Sequence, residues 1–261
     1  MPPRLSILEA ALRRDRLVAI AGLLTLAGLA WAYLAHLAAP MGAHLGMAMP
    51  QVRSWSIGET AGLAIMWIVM MVAMMVPSVS PVILLFAGIS RRRRVQGVQA
   101  TPVSVFVLGY LLAWTGYAVL AALIQSALHS AALLSPAMAI ESPLLGGGLL
   151  ILAGLYQWLP LKGACLSHCR SPLGFFSTEW REGVSGALLM GVRHGSYCVG
   201  CCWALMALLF VAGVMNLLWV AVIAGFVLIE KVVPSGRLIG RLTGVLLAGW
   251  GLWMVAMVHR S

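Results

Sequence analysis

Long apolar runs separated by short polar segments make up most of the chain. Several runs reach the about 20 residues that a helix needs to cross the hydrocarbon core of a bilayer, and a spanning helix satisfies its own backbone hydrogen bonds. The pattern predicts about seven transmembrane helices, with six as the lower bound. They lie at about 17–39, 60–89, 102–126, 144–159, 184–213, 217–233 and 242–258. The predicted fold is all-α, a polytopic membrane helix bundle that forms one integral membrane domain over residues 1–261.

Composition and charge agree with a membrane protein. The chain is 62% hydrophobic and 9% charged, with a mean hydropathy of +0.98, which excludes an ordinary soluble domain of this size. The net charge is +10, but the basic residues cluster between apolar runs, a pattern typical of cytoplasmic loops rather than of nucleic-acid binding. Arginines at 91–94 mark one such loop, and those at 4, 13, 14 and 16 place the N-terminus in the cytoplasm. We therefore expect a multi-pass protein of a bacterial inner membrane, with lipid and no nucleic acid as partner.

The fifth predicted span carries an unusual set of ligand-type side chains. In a helix, His194, Cys198 and Cys202 recur at four-residue intervals, and Cys201 follows Cys198 by three, so they share one face. Thiolates with an imidazole suit Cu(I) or Zn(II). The alternative is that these cysteines are small membrane hydrophobes.

Two features of the same span affect this site. Gly195 and Gly200 weaken the helix, so we expect it to be broken at 195–200. Arg193 lies beside the ligands, and an arginine inside a membrane costs at least about 2.5–3.5 kcal/mol, so it needs a reason to be there. It would support the site by favouring thiolates, pair with Glu230, or reach towards the interface.

The second predicted span has a row of methionines. Met66, Met70 and Met74 recur at four-residue intervals, and Met71 and Met75 form a second pair one position round the helix. Stacked thioethers make a soft, uncharged ligand set that suits Cu(I). Ordinary packing by methionine is the alternative interpretation.

A second cysteine cluster follows the fourth span. Cys165 and Cys169 share a helix face, with His168 next to them, on the predicted cytoplasmic side. We interpret these three residues as a further metal site at the inner exit of the protein, with structural cysteines as the alternative.

Four blocks of the chain, taken together, resemble a bacterial family of predicted metal-binding integral membrane proteins, a domain of unknown function. The blocks are the methionine-rich stretch at 66–78, the cysteine and histidine stretch at 160–170, the stretch at 191–206 with one histidine and three cysteines, and the stretch at 230–241 that begins with Glu230 and Lys231. The resemblance covers about residues 60–258 and implies a helical membrane fold that binds a metal.

The sequence thus favours a protein that binds a soft transition metal, with Cu(I) ahead of zinc, and transports it or delivers it to a metallochaperone or metalloenzyme complex. The chain has no ATP-binding motif, and its residues favour this binding role over an enzymatic one. Two alternatives remain. One is a membrane thiol–disulfide oxidoreductase, in which the cysteines exchange disulfides. The other is a non-catalytic accessory or assembly subunit of a larger membrane complex.

Overall fold

The computed structural model describes residues 3–44, 55–97, 101–135 and 137–258, and within 3–44 it describes the side chains of 17–39 only. Arginines 4, 13, 14 and 16 therefore lie outside the described side chains. The described residues form helices and an isolated β-bridge but no strand, which confirms the all-α fold. The helices are α1 (Pro3–His44), α2 (Ile57–Val95), α3 (Val103–Ser130), α4 (Pro143–Tyr156), α5 (Pro160–Arg170), α6 (Pro172–Glu179), α7 (Gly183–Ala207), α8 (Leu209–Ala212), α9 (Leu217–Val232) and α10 (Gly236–Val258).

Five stretches of the described chain are long and apolar enough to cross a membrane. They are Leu17–Ala39, Ile57–Val95, Val103–Ser130, Gly183–Ala212 and Gly236–Val258. The predicted fourth span is instead the α4–α5 pair, bent by 64°, and the count rises to six if this pair crosses as one span. The predicted sixth span corresponds to α9, whose 16 residues extend only about 24 Å, short of the about 30 Å core.

The predicted break at 195–200 is wrong, because α7 is helical without interruption from Gly183 to Ala207. The glycines there allow close packing. A Cβ on Gly195 would lie 2.7 Å from the Cβ of Ala113 in α3, and one on Gly200 would lie 2.8 Å from the sulfur of Cys165. Small residues at such positions let membrane helices approach each other closely.

The broken span is the fourth one. Helix α4 ends at Tyr156 and α5 begins at Pro160. Proline is tolerated in the first turn of a helix but cannot continue the hydrogen-bond ladder of a preceding one, so the helix stops and restarts here. The bend turns α5 onto α7.

Helices α2 and α7 are the most buried of the spans, and α1 and α10 are the least buried. The molecule has two distinct ends. At the basic end, α2 finishes with its arginine run, and the guanidinium of Arg93 pairs with Glu182 just before α7 begins. At the opposite end, the loop at 131–142 contacts α8, where the Ile140 N–H donates to the carbonyl of Phe210 over 2.8 Å.

Candidate metal centre

Three cysteine sulfurs from two helices converge inside the bundle. Cys169 comes from α5, and Cys198 and Cys201 come from α7; the three sulfurs all lie within 4.8 Å of one another. Cys169 Sγ and Cys201 Sγ are 3.9 Å apart, and all five cysteines are free thiols. Three soft donors at this spacing can surround one metal ion.

The approach of α5 to α7 joins the two cysteine clusters that are distant in the sequence. The sulfur of Cys165 packs where Gly200 has no side chain. The ring of His168 stacks on that of Tyr197, with centroids 4.1 Å apart and an interplanar angle of 12°. These contacts bring Cys169 to the sulfurs of α7, while Cys165 and His168 lie beside the group rather than within it.

A lysine and a tyrosine contact the central sulfur. The ammonium of Lys231 donates hydrogen bonds to Cys198 Sγ and to Ser78 Oγ, each over 3.0 Å. The hydroxyl oxygen of Tyr110 lies 3.1 Å from the same sulfur. Lys231 is buried, and a buried ammonium requires a compensating partner. A thiolate at Cys198 provides it, since a neighbouring cation favours the ionised form of cysteine.

Arg193, which we expected beside the ligands, points away from them. Its guanidinium pairs with Glu179 at the end of α6, and its side chain is 43% exposed. Glu230, the other partner considered for Arg193, pairs instead with Lys162 over 2.5 Å. Sequence reasoning missed Lys231 because a lysine near the end of an apolar run is also typical of a cytoplasmic loop. The available signal was the pair of adjacent charges, Glu230 and Lys231, inside an otherwise apolar helix.

His194 and Cys202 line the same helix without joining the three sulfurs. His194 lies one turn before Cys198 and is 2% exposed, and its Nδ1 has no hydrogen-bond partner within the described part of the chain. Its ring packs against that of Phe175, with centroids 4.9 Å apart. The thiol of Cys202 donates to the carbonyl of Cys198 over 2.9 Å. His194 and Cys202 are therefore not members of the group of three, although the side chain of Cys202 still interacts with those of Cys198 and Cys201.

The five methionines of α2 predicted as soft ligands are all buried: Met66, Met70, Met71, Met74 and Met75. Ser78 continues the row of Met66, Met70 and Met74 at the same four-residue interval. The methionine row thus ends at the serine that accepts a hydrogen bond from Lys231.

The chemistry of this donor set is soft. Cysteine sulfur selects Cu(I) or zinc over hard ions, and a structural zinc site completes a tetrahedron of four ligands. Here three sulfurs meet, which suits the lower coordination number of Cu(I).

The chain matches the sequence model of a known protein family. The sequence model of a family described as PpoB2, copper chaperone, matches residues 64–254. The matched range contains the five cysteines, the methionine row and Lys231. No curated protein and no solved structure matches the chain.

Proposed function

The chain belongs to the PpoB2 copper chaperone family, and from that premise we propose that it holds Cu(I) on sulfur inside the membrane and hands the ion to a partner protein. The observation that carries the proposal is the group of three sulfurs formed by Cys169, Cys198 and Cys201. Delivery is preferred to pumping because the family is described as a chaperone and the sequence has no ATP-binding motif.

Charge balance supports Cu(I) at this site. Two thiolates and one Cu(I) carry a net charge of −1, which is costly in a medium of low dielectric constant unless a cation is near. Lys231 provides that cation, since its ammonium already contacts Cys198 Sγ. With Lys231 the site is neutral when the third cysteine remains a thiol.

The remaining candidate ligands fit the transfer steps. His194 is buried one turn from Cys198, and its Nδ1 has no partner among the described residues, so it is positioned to accept the ion when one sulfur releases it. Cys165 and His168 lie beside the group on α5 and are only partly buried. We assign these two residues to the handover to a metallochaperone or metalloenzyme complex in or at the inner membrane.

Metal analysis of the purified chain tests the proposal. The protein is kept reduced and is offered equal concentrations of Cu(I) and Zn(II). We expect it to retain about one copper per chain. X-ray absorption should then show a metal–sulfur distance of about 2.3 Å, as in zinc thiolates. Cys198→Ser should lose the ion. Cys202→Ser is the comparison variant. The serine hydroxyl can still donate to the Cys198 carbonyl, and Cys202 is not one of the three converging cysteines although it neighbours two of them, so this variant should keep more of the ion than Cys198→Ser does.

Three outcomes would contradict the proposal. An all-oxygen shell would exclude a thiol site. Equal loss in Cys202→Ser would favour the single-face ligand set of His194, Cys198 and Cys202 over the converging sulfurs. A metal-free wild type with Cys169 and Cys201 joined in a disulfide would favour the oxidoreductase alternative.

A further inference from the structure

A separate cavity with three methionines lies at the opposite end of the bundle from the arginine run. It has a volume of about 340 Å³. Met66 of α2, Met138 of the loop at 131–142 and Met215 of the turn between α8 and α9 all line it. Three distant parts of the chain therefore each contribute a methionine to the lining of the cavity. Neither Met138 nor Met215 belongs to a pattern that the sequence makes visible.

Described residues around Met138 pair with each other and with the turn before α9. Leu134 and Ile140 form an antiparallel bridge, and the carbonyl of Met138 accepts from the Val214 N–H over 3.5 Å. Met138 itself has a φ of +57°, in the left-handed region that a long side chain rarely adopts. Unfavourable backbone angles of this kind persist where the surrounding structure enforces them, commonly at ligand sites.

The two lining side chains that carry oxygen, Glu59 and Gln125, both have hydrogen-bond partners. The carboxylate of Glu59 accepts from the Ser56 N–H over 2.7 Å in the N-terminal cap of α2. The side-chain carbonyl of Gln125 accepts from the indole N–H of Trp67 over 2.6 Å. Sulfur is therefore the donor that the cavity offers most readily, and thioether sulfur prefers soft, monovalent ions.

A continuous row of α2 residues connects this cavity with the thiols. Met66, Met70, Met74 and Ser78 follow one another at four-residue intervals and are all buried. The 12 positions from Met66 to Ser78 extend about 18 Å along the helix. Ser78 accepts from Lys231, which also donates to Cys198.

We propose that the cavity lined by Met66, Met138 and Met215 is the site where Cu(I) is taken up, from which the methionine row leads the ion to the thiols. This inference rests on the proposed copper function. Neutral thioethers bind Cu(I) without releasing protons and more weakly than thiolates do, so the ion binds reversibly in the cavity and moves towards the tighter site.

The test uses the full-length protein in detergent with Cys169, Cys198 and Cys201 all replaced by serine, titrated anaerobically with Cu(I). We expect one remaining Cu(I) per chain, held by sulfur as seen by X-ray absorption. Adding Met138→Leu and Met215→Leu should weaken this binding by about tenfold or more. Methionine and leucine have similar volumes, so the fold should persist. Met254→Leu, a half-buried methionine of α10, is the matched control and should leave binding unchanged.

A second variant keeps the thiols. Met138→Leu with Met215→Leu in the otherwise native chain should retain the equilibrium copper content of the thiol site but load it about tenfold more slowly. Absence of copper in the triple serine protein, an oxygen or nitrogen shell there, or equal affinity with and without the two methionines would overturn the inference. Failure of the proposed function looks different. In the same titration the native chain should bind two Cu(I), one at the thiols and one in the cavity, and without a thiol site it would bind one, as the triple serine protein does.

Discussion

Lys231 brings a positive charge to the thiol site, because its ammonium donates a hydrogen bond to Cys198 Sγ from a different helix. Membrane interiors disfavour an isolated ammonium, and thiolates there are equally costly without a cation. The lysine and the cysteine therefore depend on each other. This dependence gives a prediction that separates Lys231 from Arg193.

Lys231→Gln should weaken Cu(I) retention, because the copper–thiolate complex loses its compensating charge. A hydrogen bond to a charged group contributes about 1.5–3 kcal/mol, which corresponds to a roughly 10- to 150-fold change in affinity. Competition with a soluble Cu(I) chelator measures it. Arg193→Gln is the control, since Arg193 is 43% exposed and pairs with Glu179, and it should change affinity little. Equal losses in both variants would contradict the assignment of the charge to Lys231.

At the scale of helices, the position of α5 depends on a buried ion pair. Lys162 near the start of α5 contacts Glu230 of α9 over 2.5 Å, and both residues are 2% exposed. Lys162 also donates to the side-chain carbonyl of Gln157 in the bend. The pair fixes the broken span against the helix that carries Lys231.

Removing one partner should be costly because it leaves the other charge buried and unpaired. We expect Lys162→Met to destabilise the protein by about 3–5 kcal/mol, and Lys162→Met with Glu230→Leu to recover most of the loss. Thermal unfolding in detergent gives the comparison. If the double variant were no more stable than Lys162→Met alone, the two charges would not simply compensate each other.

The packing of α7 on α3 gives a second prediction at this scale. A Cβ on Gly191 of α7 would overlap the backbone carbonyl of Phe106 in α3. Because a backbone atom cannot rotate away as a side chain can, the two helices would have to move apart. Gly191→Ala should therefore lower Tm and loosen the contact between Tyr110 and Cys198. Gly116→Ala, in α3 with no atom near the added carbon, should change stability by under about 1 kcal/mol. A native Tm in Gly191→Ala would show that the two helices can separate without loss.

The helices themselves could be predicted because apolar periodicity is a local signal. The all-α fold follows from it, and so does the face shared by His194, Cys198 and Cys202. The meeting of Cys169 with Cys198 could not be predicted, since it depends on how sharply the chain bends before Pro160. The glycines at 195 and 200 gave a misleading signal. Glycine lowers helix propensity, but it also lets two helices pack closely, and the sequence alone does not show which of the two effects applies. Met138 and Met215 were missed because they lie outside helices, where side chains do not recur at the regular spacing that a sequence pattern reveals.

For the molecule as a whole, the arrangement has a direction. The arginine run at 91–94 and the Arg93–Glu182 pair lie at one end, and the methionine cavity lies at the other. Positive charge favours the cytoplasmic side. The cavity should then open on the outer side of the membrane, with the thiols between it and the basic end.

Two measurements test this direction together. Epitope tags inserted after Gly97, at the basic end, and after Ala131, at the opposite end, should report opposite sides of the membrane, with Gly97 cytoplasmic. In vesicles of known orientation, Cu(I) offered on the side of Ala131 should load the thiols in the native chain, and Met138→Leu with Met215→Leu should slow this loading. Cu(I) offered on the side of Gly97 should load them at a rate that the two methionine substitutions do not change.

Both tags on one side would refute the predicted topology. Loading from the Gly97 side that depends on Met138 and Met215 would instead place the cavity on the inner path, because only an ion that passes through it is sensitive to those two side chains.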